Sequence, residues 1–201
     1  MIVVRFTVVL AALACALVAA AATPLLRREL TRRNWTAWLH LPLAAAAGAF
    51  AAVLAGSIPE LVAFAAAGTV TALLMVVDLL EHRLPDRLVA LAWLALVLPL
   101  TITGDWASLG RALLASVTCL VVYFALAWIA PAGMGLGDVK FAAVVGAFLG
   151  WFGWPHVLWG TLLAFALNAV VSLVALLRGK RGSEVPFGPL MVTGAVLALF
   201  A

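Results

Sequence analysis

Formal charge is the scarcest property of this chain. Twelve basic and eight acidic residues are spread over 201 positions, while 67% of the residues are hydrophobic. A water-soluble core of this length needs a polar shell, and too few polar residues exist to build one. Lipid is then the solvent for most of the outer surface. Alternation of polar and apolar residues is lacking too: the run "AFAAAGTVTALLMVV" does not alternate, which argues against a transmembrane barrel. Cysteine is limited to Cys15 and Cys119, neither in a CxxC pair, so a zinc site or disulfide framework has no support and both read as small packing residues. His40, His82 and His156 are scattered without ligand spacing, so no metal and no cofactor is expected. Repeats and long linkers are absent as well. The net charge of +4 is read as a record of loop orientation and not of nucleic-acid binding.

What the chain does have is a succession of apolar runs with at most one formal charge each, at roughly 2–26, 37–57, 61–79, 88–104, 108–131, 139–154, 156–177 and 188–201. A span needs roughly 20 apolar residues, somewhat fewer when short, and the last run is the shortest. The expected fold is all-α: a polytopic integral membrane bundle of about eight transmembrane helices, with residues 1–201 forming a single membrane-embedded domain. Basic residues set its orientation. Arg27, Arg28, Arg32, Arg33, Arg83, Arg87, Lys140, Arg178, Lys180 and Arg181 fall on one side, and only Arg5 and Arg111 on the other. The positive-inside rule then places both termini outside and the basic loops in the cytoplasm. Residues 1–22 also resemble a signal peptide, with Arg5, an apolar core and "VAAAAT". The apolar run is long for that purpose, and four closely following arginines oppose export of that end. Trp35, Trp38, Trp106, Trp151 and Trp154 lie near expected span ends, as an interfacial belt would place them.

The acids carry the chemistry. Glu29, Glu60, Asp105 and Glu184 are expected in solvated loops, and Glu81 and Asp86 in the short polar connection "EHRLPDR". Asp78 and Asp138 differ. Asp78 ends an uncharged stretch, and Asp138 opens another just after the glycines of "GMGLGDVK". A carboxylate at the hydrocarbon boundary costs about 1–3 kcal/mol, so such residues usually face a bundle interior or a wet cavity. Each alone reads as a helix end, Asp138 as an N-cap. Together they fall at the cytoplasmic ends of spans, where two acids could share one pocket. Paired carboxyls share a proton, so one can take a proton from water while the other protonates a carbonyl oxygen. Asp138, beside a helix N-terminus, is expected to be the ionised base, and Asp78, beside a C-terminus, the protonated partner. Gly135 and Gly137 permit positive φ and close approach of a second backbone.

These residues resemble a known family. "GLGDVK" is similar to the GxGDxK signature of the prepilin peptidases, the type IV leader peptidase family of bacterial inner-membrane aspartic proteases. "VVDLLEHRLPDRL" resembles that family's Asp followed by Leu-Pro-Asp, here Asp78 and then Leu84, Pro85 and Asp86. "VPFGPLMVTGAVLAL" resembles its Pro-Phe-Gly-Pro stretch entering the last span. The resemblance covers roughly residues 60 to 201. It implies cleavage of the basic leader from type IV pilin-like precursors at the cytoplasmic face of the bacterial inner membrane. Asp78 and Asp138 would be catalytic, with Gly135, Gly137, Lys140, Pro85 and Asp86 supporting the motifs and Glu81, Pro186 and Gly188 contacting substrate. The implied partners are a pilin-like precursor and membrane lipid.

The chain departs from the family in two places. Many members carry a cysteine-rich cytoplasmic insertion after the first span and also methylate the new N-terminus. Here only roughly ten residues around "RRELTRRNW" stand there, so methyl transfer is not expected. Leu80 stands where many members have another acid. Three rival readings are another GxGD intramembrane protease, disfavoured by Val77-Asp78 and Pro-Phe-Gly-Pro, a proton-coupled transporter, which would place acids nearer mid-span, and a non-enzymatic membrane scaffold.

Overall fold

The structure is a computed structural model that describes residues 2–31, 38–130, 134–179 and 185–201. Arg32, Arg33, Trp35, Gly133, Lys180, Arg181 and Glu184, weighed above, lie outside the described residues, as does the side chain of Arg5.

Every described element is a helix or a turn. In chain order they are α1 (Ile2–Ala21), α2 (Thr23–Glu29), α3 (His40–Leu54), α4 (Ile58–Glu81), α5 (Asp86–Leu100) with a 3-10 turn at Thr101–Thr103, α6 (Trp106–Ile129), α7 (Leu136–Phe152), α8 (Trp154–Leu177) and α9 (Gly188–Ala198). Each expected apolar run thus overlaps a helix. Among the described residues four segments, Ile58–Glu81, Asp86–Thr103, Trp106–Ile129 and Trp154–Leu177, are long and apolar enough to cross a membrane; α1 and α2 together could make a fifth, bent by 51°.

Punctuation follows local chemistry. Pro24, Pro155 and Pro189 stand in the first turns of α2, α8 and α9, where a missing N–H costs nothing. Gly104 ends the α5 segment with φ 77°, and Gly153 separates α7 from α8 with φ 147°. Glu60 is not in a loop. It sits in the first turn of α4, where its carboxylate accepts from the Gly56 N–H at 2.9 Å and the Ser57 hydroxyl at 3.0 Å. A carboxylate there satisfies donors the helix leaves open.

The chain forms two compact units. One contains Met1–Glu81 and Pro85–Trp106, the other His82–Leu84 and Ala107–Ala201. In the first, small residues bring the backbones close. Cys15, Ala19, Ala44 and Ala72 form a buried cluster, and a Cβ on Gly48 would strike the carbonyl oxygen of Ala11 and lie 2.7 Å from Cys15 Sγ. In the second, a Cβ on Gly194 of α9 would lie 2.7 Å from the Ala164 nitrogen and 2.8 Å from the Gly160 oxygen of α8. Side chains of this size are what helix packing in lipid requires, because van der Waals contact replaces the hydrophobic effect there.

Arg111, one of the two basic residues expected on the sparse side, has a structural task in the second unit. Its Nε donates to the Gly150 carbonyl at 2.8 Å, and its Nη2 lies 2.6 Å from the Trp151 carbonyl and 3.0 Å from Ser108 Oγ. It therefore caps the C-terminal end of α7. Trp151 is accordingly buried, unlike the exposed Trp38, Trp106 and Trp154, and does not join an interfacial belt.

Candidate active site

Asp78 occupies the last turn of α4, and only 4% of its surface is exposed. All of residues 72–78 are buried, so protein covers this stretch of α4 around its circumference and not on one stripe, until Leu79 is exposed again. Part of that cover is α2. Leu26, 1% exposed, packs against Leu73, Val76 and Val77, with Ala22, Leu30 and Leu80 beside it. The bend between α1 and α2 lays this short helix back onto the helix that carries Asp78.

Glu81 closes α4 and is not part of a loop. Thr31 donates its backbone N–H to Glu81 Oε1 at 2.7 Å, and the Thr31 hydroxyl lies 2.9 and 2.8 Å from the two carboxylate oxygens. His82 follows with a left-handed backbone, φ 50°. A residue with a Cβ pays roughly 1–2 kcal/mol for that conformation, and the turn it makes ends the helix. Pro85 then serves as N-cap of α5, with Asp86 in the first turn, where a negative side chain is favoured.

Asp138 lies in the other unit, at the third helical position of α7 and half-buried. Its Oδ2 accepts from the Gly135 N–H at 3.2 Å. Asp138 is thus not the N-cap; Gly135 is, and the carboxylate reaches back to its main chain. Gly135 has φ −75° and ψ 149°, and positive φ among described glycines is confined to Gly104, Gly153 and Gly179. Left-handed backbone is therefore not what the motif requires. Close approach is required at Gly137, where a Cβ would lie 3.1, 3.3 and 3.4 Å from the Cβ, oxygen and nitrogen of Leu84. The neighbour is the protein's own chain, at the first residue of Leu-Pro-Asp. Lys140 is exposed one turn on.

The third motif opens α9. Phe187 is its N-cap, Gly188 is buried and Pro186 half-buried. The Phe187 ring packs 5.4 Å from Phe165 and 6.3 Å from Tyr123, centroid to centroid, with Tyr123 and Phe165 at 5.3 Å. Sequence reasoning missed this trio, the Arg111 cap and the Thr31 contact. Only Arg111 left a trace, as a basic residue on the sparse side. Among the described residues no three His, Cys, Asp or Glu side chains gather as a metal site would need.

Comparison with known proteins gives these motifs a context. The model of the type IV leader peptidase family matches residues 65–177, a stretch containing Asp78, the Leu-Pro-Asp segment and Asp138. Similarity extends to the prepilin leader peptidase/N-methyltransferase of Burkholderia pseudomallei, 36% identical over 166 residues, 77% of this chain and 52% of that protein. The protein of the same name from Aeromonas hydrophila is 33% identical over 146 residues, 66% of this chain and 49% of its own. For that of Pseudomonas aeruginosa the figures are 33% over 131 residues, 61% and 43%. The chain spans about half the length of the curated relatives it matches. No solved structure matches it.

Proposed function

Because this chain belongs to the type IV leader peptidase family, we propose that it is an intramembrane aspartic endopeptidase cleaving the leader of type IV pilin-like precursors at the cytoplasmic membrane face. The observation that carries the reading is the family match itself, which includes both aspartates in one stretch. In this proposal both units make one membrane-embedded peptidase of eight spans with both termini outside, and Asp78 and Asp138 form the catalytic pair. The alternation of basic loops supports the sidedness.

The assigned roles follow from the helix ends. Asp138 stands in the first turn of α7, where the positive end of the helix favours an anion, and Asp78 in the last turn of α4, where a neutral group is better tolerated. Asp138 takes a proton from water as the water oxygen attacks the scissile carbonyl carbon. Asp78 gives its proton to the carbonyl oxygen. When the tetrahedral diol collapses, the proton on Asp138 passes to the leaving nitrogen, the C–N bond breaks and Asp78 recovers its proton. One water is consumed and both carboxyls return to their starting state. Gly137 and Leu84 hold the second motif against Leu-Pro-Asp, and Pro186 and Gly188 set the start of α9. Methyl transfer, the second activity in the relatives' names, is left out of the proposal: only roughly ten residues around "RRELTRRNW" join the first two apolar runs, and the chain has no CxxC.

Co-expression with pilin-like precursors from the same genome tests this. Wild type trims the leader, and Asp78→Asn and Asp138→Asn each slow trimming by about 100-fold or more, the scale of a lost acid or base. Normal trimming by either variant defeats the pair.

A further inference from the structure

Glu81 stands one helical turn beyond Asp78, so the two side chains occupy neighbouring positions on one face of α4. Its carboxylate is held by the protein's own chain just beyond α2. After α2 ends at Glu29, Leu30 turns to φ −95° and ψ 129°, and Thr31 then gives its main-chain N–H to Oε1 at 2.7 Å. Leu26 and Leu30 anchor this piece on Leu73, Val76, Val77 and Leu80. A main chain that leaves its helix through one extended residue and gives its next N–H to an acid one turn from Asp78 offers the donor that an unwound peptide substrate offers.

Resting on the peptidase reading, we propose that residues 30–31 are a displaceable strap in a substrate subsite, and that Glu81 is a substrate-positioning residue which accepts an N–H of the extended substrate once the strap leaves. Thr31 is exposed, so water competes for its donors and the strap is held loosely enough to be displaced. While the strap is in place, only the open fraction of molecules binds, and apparent affinity falls by that fraction.

Thr31→Pro removes both donors at once. Leu30 already has the extended backbone that a residue before proline needs, so the variant is expected to fold. Its KM for a pilin-like precursor falls about three- to tenfold at unchanged kcat. Thr31→Val, which keeps the N–H, falls between Thr31→Pro and wild type. Glu81→Ala raises KM about tenfold with little change in kcat, as loss of uniform binding does. A KM unchanged or raised in Thr31→Pro overturns the strap.

A second readout needs no turnover. Hydrogen exchange at the Thr31 amide is followed in the full chain carrying Asp138→Asn, with and without a synthetic peptide spanning a precursor cleavage site. The amide is protected alone and exchanges about tenfold faster at saturating peptide; unchanged protection overturns the proposal. Failure of the peptidase reading looks different, because wild type then trims no precursor at all. A failed strap leaves wild type trimming normally, indifferent to position 31.

Discussion

An added methyl group on Gly135 would lie 3.4 Å from Asp138 Oδ2, in ordinary contact, on a backbone that any residue adopts. Gly135→Ala is therefore expected to cost no more than about 1 kcal/mol, the preference for Gly over Ala at an N-cap. Two residues on, the balance reverses. Ala in place of Gly137 gains up to about 1 kcal/mol of helix propensity. Against that, its Cβ meets Leu84 at backbone atoms and Cβ, not at a flexible tip, so the buried Leu84 itself has to move. Overpacking of this kind costs about 1–3 kcal/mol, and the clash wins. Thermal unfolding in detergent should show Gly137→Ala destabilised, and its cleavage rate should fall further because Leu-Pro-Asp is displaced. Arg111→Met keeps the apolar stem and removes the donors to Gly150 and Trp151, with an expected loss of about 2–3 kcal/mol in the same assay. Arg111→Lys recovers only part of it, since an ammonium lacks the planar fork.

Small residues let several helices of this chain approach closely, and a pair of glycines separates propensity from packing. Gly110 lies inside α6 with nothing within 4 Å of an added Cβ, whereas Gly194 in α9 faces the Ala164 and Gly160 backbone at 2.7–2.8 Å. Gly110→Ala should raise stability by roughly 0.5–1 kcal/mol through helix propensity alone. Gly194→Ala should lower it by about 1–3 kcal/mol, the two shifts in melting temperature having opposite sign. The burial of α4 on all sides at 72–78 is the other finding at this scale. Hydropathy marks that segment as apolar, but lipid and protein neighbours give the same apolar signal. Only packing shows that the Asp78 turn faces protein.

For the molecule as a whole, the sidedness in the proposal can be checked directly. His82, Asp105 and Arg178 are exposed, while the native Cys15 and Cys119 are buried. In right-side-out vesicles a membrane-impermeant maleimide should label Asp105→Cys and leave His82→Cys and Arg178→Cys untouched. Labelling of Arg178→Cys from outside breaks the eight-span topology. The two compact units divide the motifs: Asp78 and Glu81 belong to one, Leu84, Asp138 and Phe187 to the other.

Composition and the lack of polar–apolar alternation together determined that the chain is helical and apolar, because in lipid only helices or closed barrels satisfy the backbone. The family's motifs were legible as well, since Gly-x-Gly-Asp and Leu-Pro-Asp are local strings whose acids stand out against uncharged sequence. The purpose of each glycine was not legible, because φ and the distance to Leu84 depend on chain remote in sequence. Thr31 and Glu81, fifty residues apart, share no local pattern, and neither do Arg111 and the end of α7. Contacts of that kind exist only once the chain has packed, and they decide which acids the protein itself already holds.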